Sequence, residues 1–300
     1  MRIVFAICEG PHDTSFLAKL LKSKGYTSYT NPLSQFPEPP KNWFVKQAKD
    51  LRVEEIGLNN LYSNITSVLP RQALVNEELH QLILLYALGG DKQKERREKL
   101  LTTLKDWGTV PTDDKAFSIT EEFTESGNNF GCLLFFDADN LGVETRIQEG
   151  IDEMKTYFPI KGEIRDNGDI EEINPTMKVG IYIFADAESK KGNLENILLP
   201  LMKHGNEKIF EDADHFIESH YNEDRLKPLV FKKENNGEIY EKRKGTPQFD
   251  HFKSIIGVVG QLQISGSSNT VCIEKSDYLN LDKIHNNHMC QDILKMFAKL

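Results

Sequence analysis

The feature that most constrains the fold is a pattern that occurs three times: a short apolar run, an acidic turn and an amphipathic stretch. The apolar runs are residues 2–8, 132–136 and 179–184. A continuous apolar run of this length is typical of a strand that is buried on both faces. Strands of this kind that alternate with helices indicate an α/β fold with a mostly parallel sheet flanked by helices.

Helical spacing of apolar residues predicts the elements between and after these strands. After the first strand, positions 16, 17, 20 and 21 share one helical face, which Asp13 or Thr14 can cap and Gly25 can close. We also predict helices over residues 142–158, 194–202, 212–221 and 252–263. Residues 232–244 are rich in charge and are predicted to form a hairpin or a loop.

The segment after the first strand and helix has a different pattern. Prolines interrupt regular structure in residues 31–40, and residues 45–107 show few strand patterns but helical periodicity over 77–88 and 92–104. We therefore predict an α/β core of residues 1–44 and 113–300, with a C-terminal extension, and a helical insertion of residues 45–112.

Composition excludes several classes of protein. The 37 basic and 46 acidic residues give a formal net charge of -9, which argues against coating nucleic acid or anionic lipid by bulk charge. No apolar run spans a bilayer, and the first run stops at Glu9, so we expect a strand there instead of a signal peptide, no membrane partner and a cytoplasmic location. The four cysteines are far apart, which excludes disulfide and zinc frameworks, and the apolar runs around Cys8 and Cys132 favour buried reduced thiols at these two positions.

Carboxylates follow the predicted strands at the points where these end. They are Glu9, Asp137, Asp139 and Asp186. The carboxyl ends of parallel strands meet at one edge of a sheet, where ligands bind. Gathered carboxylates repel one another unless a cation neutralises them, and hard oxygen ligands suit Mg²⁺ or Mn²⁺. Each residue alone is explained as a helix cap, but their convergence favours a metal site.

At this point the sequence resembles a known family. IVFAICEGPHDTSFLAKLL looks like the opening of a Toprim domain, which topoisomerases, bacterial primases, maturation ribonucleases and overcoming-lysogenization-defect nucleases share. That family has a Glu-Gly pair after its first strand and an Asp-x-Asp after a later one, matched here by Glu9-Gly10 and Asp137-Ala138-Asp139. FADAESKKGNLENILLPLM is similar to small standalone bacterial Toprim-like proteins. The resemblance covers residues 1–25 and roughly 130–265.

The resemblance implies phosphodiester chemistry on DNA or RNA with Mg²⁺ or Mn²⁺ held by Asp137 and Asp139. Glu9 would complete the metal site or move protons. The chain has neither the nucleophilic-tyrosine domain of topoisomerases nor the zinc-ribbon cysteines of primases, so a nuclease is the favoured member. It also lacks a Walker sequence, so an ATPase partner would have to be a separate chain.

Asp186 and two further candidates, Glu195 and Lys253, each have two interpretations. Asp186 and Glu195 are either metal ligands or favourable charges in a turn and a first helical turn. Lys253 is either the late lysine with which related Toprim nucleases stabilise charge on the phosphate, or a solvated surface lysine.

Two other functions stay open. LLFFDADNLG also looks like the first strand of a haloacid-dehalogenase-like phosphatase, in which Asp137 would be the nucleophile. That family normally has this motif at the start of its fold, and Glu9-Gly10 would then have no role. The other alternative is a non-catalytic Toprim-like module that binds nucleic acid or a partner ATPase, against which the presence of Glu9, Asp137 and Asp139 argues.

Overall fold

The computed structural model describes residues 1–49, 68–90, 93–108 and 128–300. These residues contain a seven-stranded sheet in the order β2-β3-β4-β1-β5-β7-β6. Its strands are β1 Arg2–Cys8, β2 Thr27–Ser28, β3 Gln72–Asn76, β4 Gln81–Ala87, β5 Asn129–Asp137, β6 Ile170–Asn174 and β7 Met177–Phe184. Strands β4, β1, β5 and β7 are parallel, whereas β2, β3 and β6 are antiparallel to their neighbours. The predicted α/β class with a mostly parallel sheet is confirmed.

Ten α-helices and a hairpin complete the described part of the chain. The helices are α1 Pro11–Lys22, α2 Pro40–Lys49, α3 Lys94–Gly108, α4 Val143–Lys155, α5 Leu194–Lys203, α6 Glu207–His220, α7 His251–Gly260, α8 Asn269–Lys275, α9 Leu281–Asn286 and α10 His288–Ala298. The hairpin strands are β8 Leu229–Lys233 and β9 Ile239–Arg243. Helix α1 begins after Gly10, and the side chain of Asp13 accepts the backbone N–H of Gly10 at 2.7 Å, which satisfies one donor at the start of the helix. None of the described helices is long and apolar enough to cross a membrane.

The chain divides into two compact units. The first unit comprises residues 1–197 and 280–300 and contains the seven-stranded sheet, whereas the second comprises residues 198–279. The second unit has its own small core, in which the rings of Phe210 and Tyr278 meet edge to face with centroids 5.4 Å apart. The sequence pattern placed residues 198–279 within the α/β core, and this division was not predicted.

Two predictions for the segment after α1 are wrong. Residues 77–88 are not a helix, because β4 occupies most of them and pairs in parallel with β1. A continuous apolar run buried on both faces matches helical and strand templates equally, and periodicity cannot separate them. Since β3 and β4 belong to the main sheet, residues 45–112 are not a separate helical insertion; the parts of it at 50–67, 91–92 and 109–112 lie outside the described residues.

Other predictions for the chain are confirmed. The periodicity over 92–104 predicts a helix, and helix α3 begins at Lys94. Lys92 lies outside the described residues. Residues 232–244 form most of the β8–β9 hairpin. Cys8 and Cys132 are free and buried, as predicted, and so are Cys272 and Cys290.

A glycine after β4 determines how closely two strand ends approach. The Gly89 N–H donates to the carbonyl of Cys8 at 2.9 Å. A Cβ atom at position 89 would lie 2.5 Å from the Cα of Glu9, a distance that side chains do not adopt. The turn after β4 can therefore lie against Glu9 only because residue 89 has no side chain.

We expect Gly89→Ala to destabilise the protein by about 1–3 kcal/mol or more, since backbone must move to admit the methyl group. Gly90→Ala is the matched control, because a Cβ there meets nothing within 4 Å. Urea unfolding of both variants measures the difference. Equal stability of the two variants would show that the close approach at Gly89 is not required.

Candidate functional site: an acidic edge of the sheet

Glu9 and Asp137 meet at the carboxyl ends of neighbouring strands. Because Cys8 is level with Phe135 in the parallel register of β1 and β5, the chain leaves both strands at the same edge. The side chain of Glu9 accepts a hydrogen bond from the backbone N–H of Asp137 at 3.0 Å. The structure thus brings together two of the residues that the sequence analysis selected.

Asp137 lies among further acidic groups at this edge. Its carboxylate accepts a hydrogen bond from the N–H of Leu194 at 2.9 Å. Burial, followed by the negative charges of Asp13 and Glu9, nevertheless raises its pKa from 3.8 to about 9, and Glu195 adds to the rise. We call Glu9, Asp13, Asp137, Asp139 and Glu195 the acidic edge.

Glu195 is held by a histidine from α1. Its side chain is almost fully buried at the start of α5, and its Oε1 lies 2.9 Å from Nδ1 of His12. This contact joins the first turns of two helices that follow different strands. It also leaves Nε2 as the ring nitrogen of His12 that Glu195 does not engage.

Asp139 occupies a different part of the edge. Its φ of 46° turns the chain after β5, and its backbone exchanges two hydrogen bonds of 2.7 Å with Gly192. Its carboxylate pairs with the guanidinium of Arg146 on α4. Glu9, Asp139 and Arg146 line a cavity of about 380 Å³, which Arg97 also lines.

Arg97 fixes the wall of this cavity. Its guanidinium donates to the carbonyls of Leu88 and Gly89 at 2.7 and 2.8 Å and to Glu153 at 2.6 Å. It also lies 5.8 Å from the centre of the Phe136 ring. Arg97 therefore ties the turn after β4 to helix α4 and to the end of β5.

The other two predicted residues have local partners. Asp186, in the turn after β7, accepts hydrogen bonds from the N–H groups of Ser189 and Glu188 at 2.8 and 3.2 Å, and these bonds lower its pKa. Lys253 lies in the second unit, in the first turn of α7, with its Nζ 3.6 Å from the Oδ2 of Asp250. These contacts are those of a turn residue and a residue next to a helix cap.

Sequence reasoning missed several parts of the site. The sequence predicts Asp13 or Thr14 as the helix cap, but the N-cap is Gly10; Asp13 lies in the first turn, accepts the Gly10 N–H at 2.7 Å and contributes charge to Asp137. No motif of the sequence assigns a role to His12, whereas the structure pairs it with Glu195. Arg97 and Arg146 come from helices distant in sequence, and no motif marks them.

The donor chemistry of the acidic edge fits a hard divalent cation. Carboxylate oxygens are the ligands that Mg²⁺ prefers, and within the described residues no cationic group pairs with Asp137. In that same part of the chain, one group of three has ligand atoms all within 4.8 Å of one another: Asp214, Glu218 and His251, in the second unit. The acidic edge is more widely spaced, with Asp139 engaged by Arg146.

These features define a mixed α/β protein with a carboxylate-rich edge on its parallel sheet. The chain belongs to the family described as "Protein of unknown function (DUF3226)", whose model matches residues 5–237. It is similar to hypothetical protein PH0156 from Pyrococcus horikoshii OT3, known from a crystal structure, at 16% identity and a TM-score of 0.46. That alignment covers 100% of this chain and 95% of the other. No curated protein matches the chain.

The raised pKa of Asp137 predicts how stability depends on pH. The folded protein keeps this proton up to about pH 9, whereas the unfolded chain loses it near pH 4, so stability decreases as pH rises between these values. We therefore expect the free energy of unfolding of Asp137→Asn to exceed that of the wild type by about 2–4 kcal/mol at pH 8 in EDTA, because asparagine does not ionise. At pH 4 the two values should differ little.

Denaturant unfolding of wild type and variant between pH 4 and 9 measures this difference. Asp152→Asn is the control, since Asp152 is an exposed carboxylate on α4. A difference between Asp137→Asn and wild type that stays constant with pH would contradict the raised pKa.

Proposed function

We propose that this protein is a metal-dependent phosphodiesterase of the Toprim type that cleaves DNA or RNA. The observation that carries the proposal is the environment of Asp137: a partly buried carboxylate surrounded by Glu9, Asp13 and Glu195 at the carboxyl edge of a parallel sheet. The Glu-Gly and Asp-x-Asp motifs that resemble the Toprim family supply two of these groups, and they supply them at adjacent strand ends.

Charge balance supports a cation at this edge. Without one, Asp137 is ionised only at the cost that its raised pKa expresses. A bound Mg²⁺ or Mn²⁺ would polarise a phosphate, lower the pKa of water and stabilise the leaving oxygen. Asp137 and Glu9 would hold it, and Asp139 would join them by exchanging Arg146 for the cation.

The other residues would bind and orient the substrate. Arg146 lines the cavity beside Glu9 and would become available to a phosphate when Asp139 exchanges it for the cation, whereas Arg97 holds the cavity wall through Glu153. Glu195 fixes the ring of His12, so that its Nε2 keeps one orientation next to the acidic edge. Asp186 and Lys253 remain candidates from the resemblance alone, and so does an ATPase on a separate chain.

A haloacid-dehalogenase-like phosphatase is supported less well. It needs Asp137 as the nucleophile instead of a metal ligand. It also assigns no role to Glu9, which contacts the Asp137 backbone directly. A non-catalytic binding module would not require these carboxylates to be gathered.

We expect the protein to cleave polynucleotides only with Mg²⁺ or Mn²⁺, and Glu9→Gln and Asp137→Asn each to reduce the rate at least about 100-fold, because an amide neither holds the cation as well nor moves a proton. Cleavage of labelled DNA and RNA, beside hydrolysis of small phosphate monoesters, measures this. Glu163→Gln is the control at an exposed glutamate. Monoester hydrolysis that Asp137→Asn abolishes and Glu9→Gln spares would establish the phosphatase instead.

Divalent cations should raise the melting temperature, since they bind only the folded arrangement and relieve repulsion among its carboxylates. At a concentration about 100 times the dissociation constant, the gain is about 2.7 kcal/mol. Asp137→Asn should abolish the increase, whereas Glu163→Gln should retain it. A wild-type melting temperature that is unchanged by millimolar Mg²⁺ and Mn²⁺ would remove the metal site from the proposal. Calorimetry with Ca²⁺ as a third cation measures whether any divalent charge is sufficient to stabilise the fold.

A further inference from the structure

The β8–β9 hairpin of the second unit is a basic element in an acidic chain. Residues 225–244 carry seven Lys or Arg and three Glu residues, whereas the whole chain has a formal net charge of -9. All but one of the ten residues in the two strands are exposed; Val230 is half-buried. The hairpin therefore projects a local positive charge into solvent.

One face of the hairpin combines lysines with a tyrosine. In the antiparallel register, Lys232 is opposite Tyr240, and Val230 is opposite Lys242, so these four residues share a face. Lys244 extends this face by two residues, and its backbone N–H donates to Pro228 at 3.0 Å. We call this surface the basic face.

No acidic side chain of the two strands lies on the basic face. Glu241 is opposite Phe231 and therefore points to the other face, whereas Glu234 and Glu238 lie in the turn beyond the strands. Among the described residues, none forms an ion pair with Lys232 or Lys242, although helix lysines of the same unit pair with carboxylates, as Lys208 does with Asp212 at 3.1 Å.

We propose that the basic face binds single-stranded nucleic acid, with phosphates at the lysines and a base stacked on Tyr240. Tyr240 is 43% exposed, with Lys232 opposite it on the neighbouring strand and Lys242 two residues along its own strand. Proteins bind single strands with this combination of an aromatic stacking surface and nearby cations. A duplex offers no free base face to such a ring. This inference rests on the proposed function for the class of partner.

The opposite face offers a different kind of surface. Leu229, Phe231 and Ile239 are 47%, 69% and 71% exposed there. They share that face with Lys233, Glu241 and Arg243, and exposed apolar side chains of this kind suit another protein chain, including a second copy of this one. The charge of the basic face favours nucleic acid, and a protein partner is an outcome that the experiment separates.

Fluorescence anisotropy in EDTA, which prevents metal-dependent cleavage, tests the proposal with labelled single-stranded DNA and RNA of about 20 nucleotides. Lys232→Ala with Lys242→Ala should weaken binding about tenfold or more at low salt. It should also reduce the slope of log affinity against log salt by about 1.4, since two phosphate contacts are lost. Lys203→Ala with Lys208→Ala is the control, because these two lysines are already paired with carboxylates.

Tyr240 variants test the stacking contact separately from charge. Tyr240→Ala should weaken binding at least about fivefold, whereas Tyr240→Phe keeps the aromatic face and should bind like wild type. The proposal is overturned if the wild type does not bind, or if the wild type and all the hairpin variants bind equally well. Equal affinity for a duplex of the same length overturns its preference for single strands.

The outcomes also separate this proposal from the proposed function. Lys232→Ala with Lys242→Ala leaves the acidic edge unchanged, because the hairpin belongs to the other unit, so binding in EDTA reports on the hairpin and cleavage at saturating substrate reports on the acidic edge. Binding through the hairpin without cleavage keeps the hairpin proposal and removes the nuclease, whereas cleavage that is indifferent to the hairpin variants does the reverse. A third outcome identifies the hairpin as a protein interface: Phe231→Ser dissociates an oligomer, and the lysine variants leave nucleic-acid binding unchanged.

Discussion

Parallel pairing of β1 with both β4 and β5 is the constraint on which the rest of the first unit depends. The seven residues of β1 hydrogen-bond on both sides, and its end at Cys8 is level with Ala87 and Phe135. Three chain segments therefore leave the sheet within one small region. Hydrogen bonds then fix them: Gly89 donates to Cys8, and Glu9 accepts from Asp137. The acidic edge follows from this register, because a strand shifted by one residue would turn its side chain to the other face.

Electrostatic compensation divides this edge into two halves. On one side, Asp139 is neutralised by Arg146, and Arg97 lies nearby in the same cavity. On the other, Asp137 accepts a backbone N–H but is surrounded by Glu9 and by two more carboxylates. The protein thus concentrates the electrostatic cost of the site on one carboxylate. Such a concentration is typical of functional sites, since a structural ion-pair network distributes its charges in pairs.

The sequence predicts the sheet edge better than it predicts the site. Continuous apolar runs identify β1, β5 and β7, and parallel strands bring Glu9 and Asp137 to the same edge. The run of β4 is equally apolar, but its periodicity also fits a helix, so its place beside β1 became evident only in the structure. The partners of the carboxylates depend on tertiary packing: His12 reaches Glu195 across 183 residues of sequence. Local patterns carry no information about such contacts.

The absence of a side chain at Gly89 has a consequence for comparing sequences. Glu9 and Asp137 can be recognised only by short motifs, which occur by chance in many α/β proteins. The close approach of the turn after β4 adds a third position, distant in sequence and imposed by backbone geometry. A related chain with the same strand register and the same glutamate needs glycine at the residue that corresponds to position 89. That glycine separates chains which share this site from chains which share only the motifs.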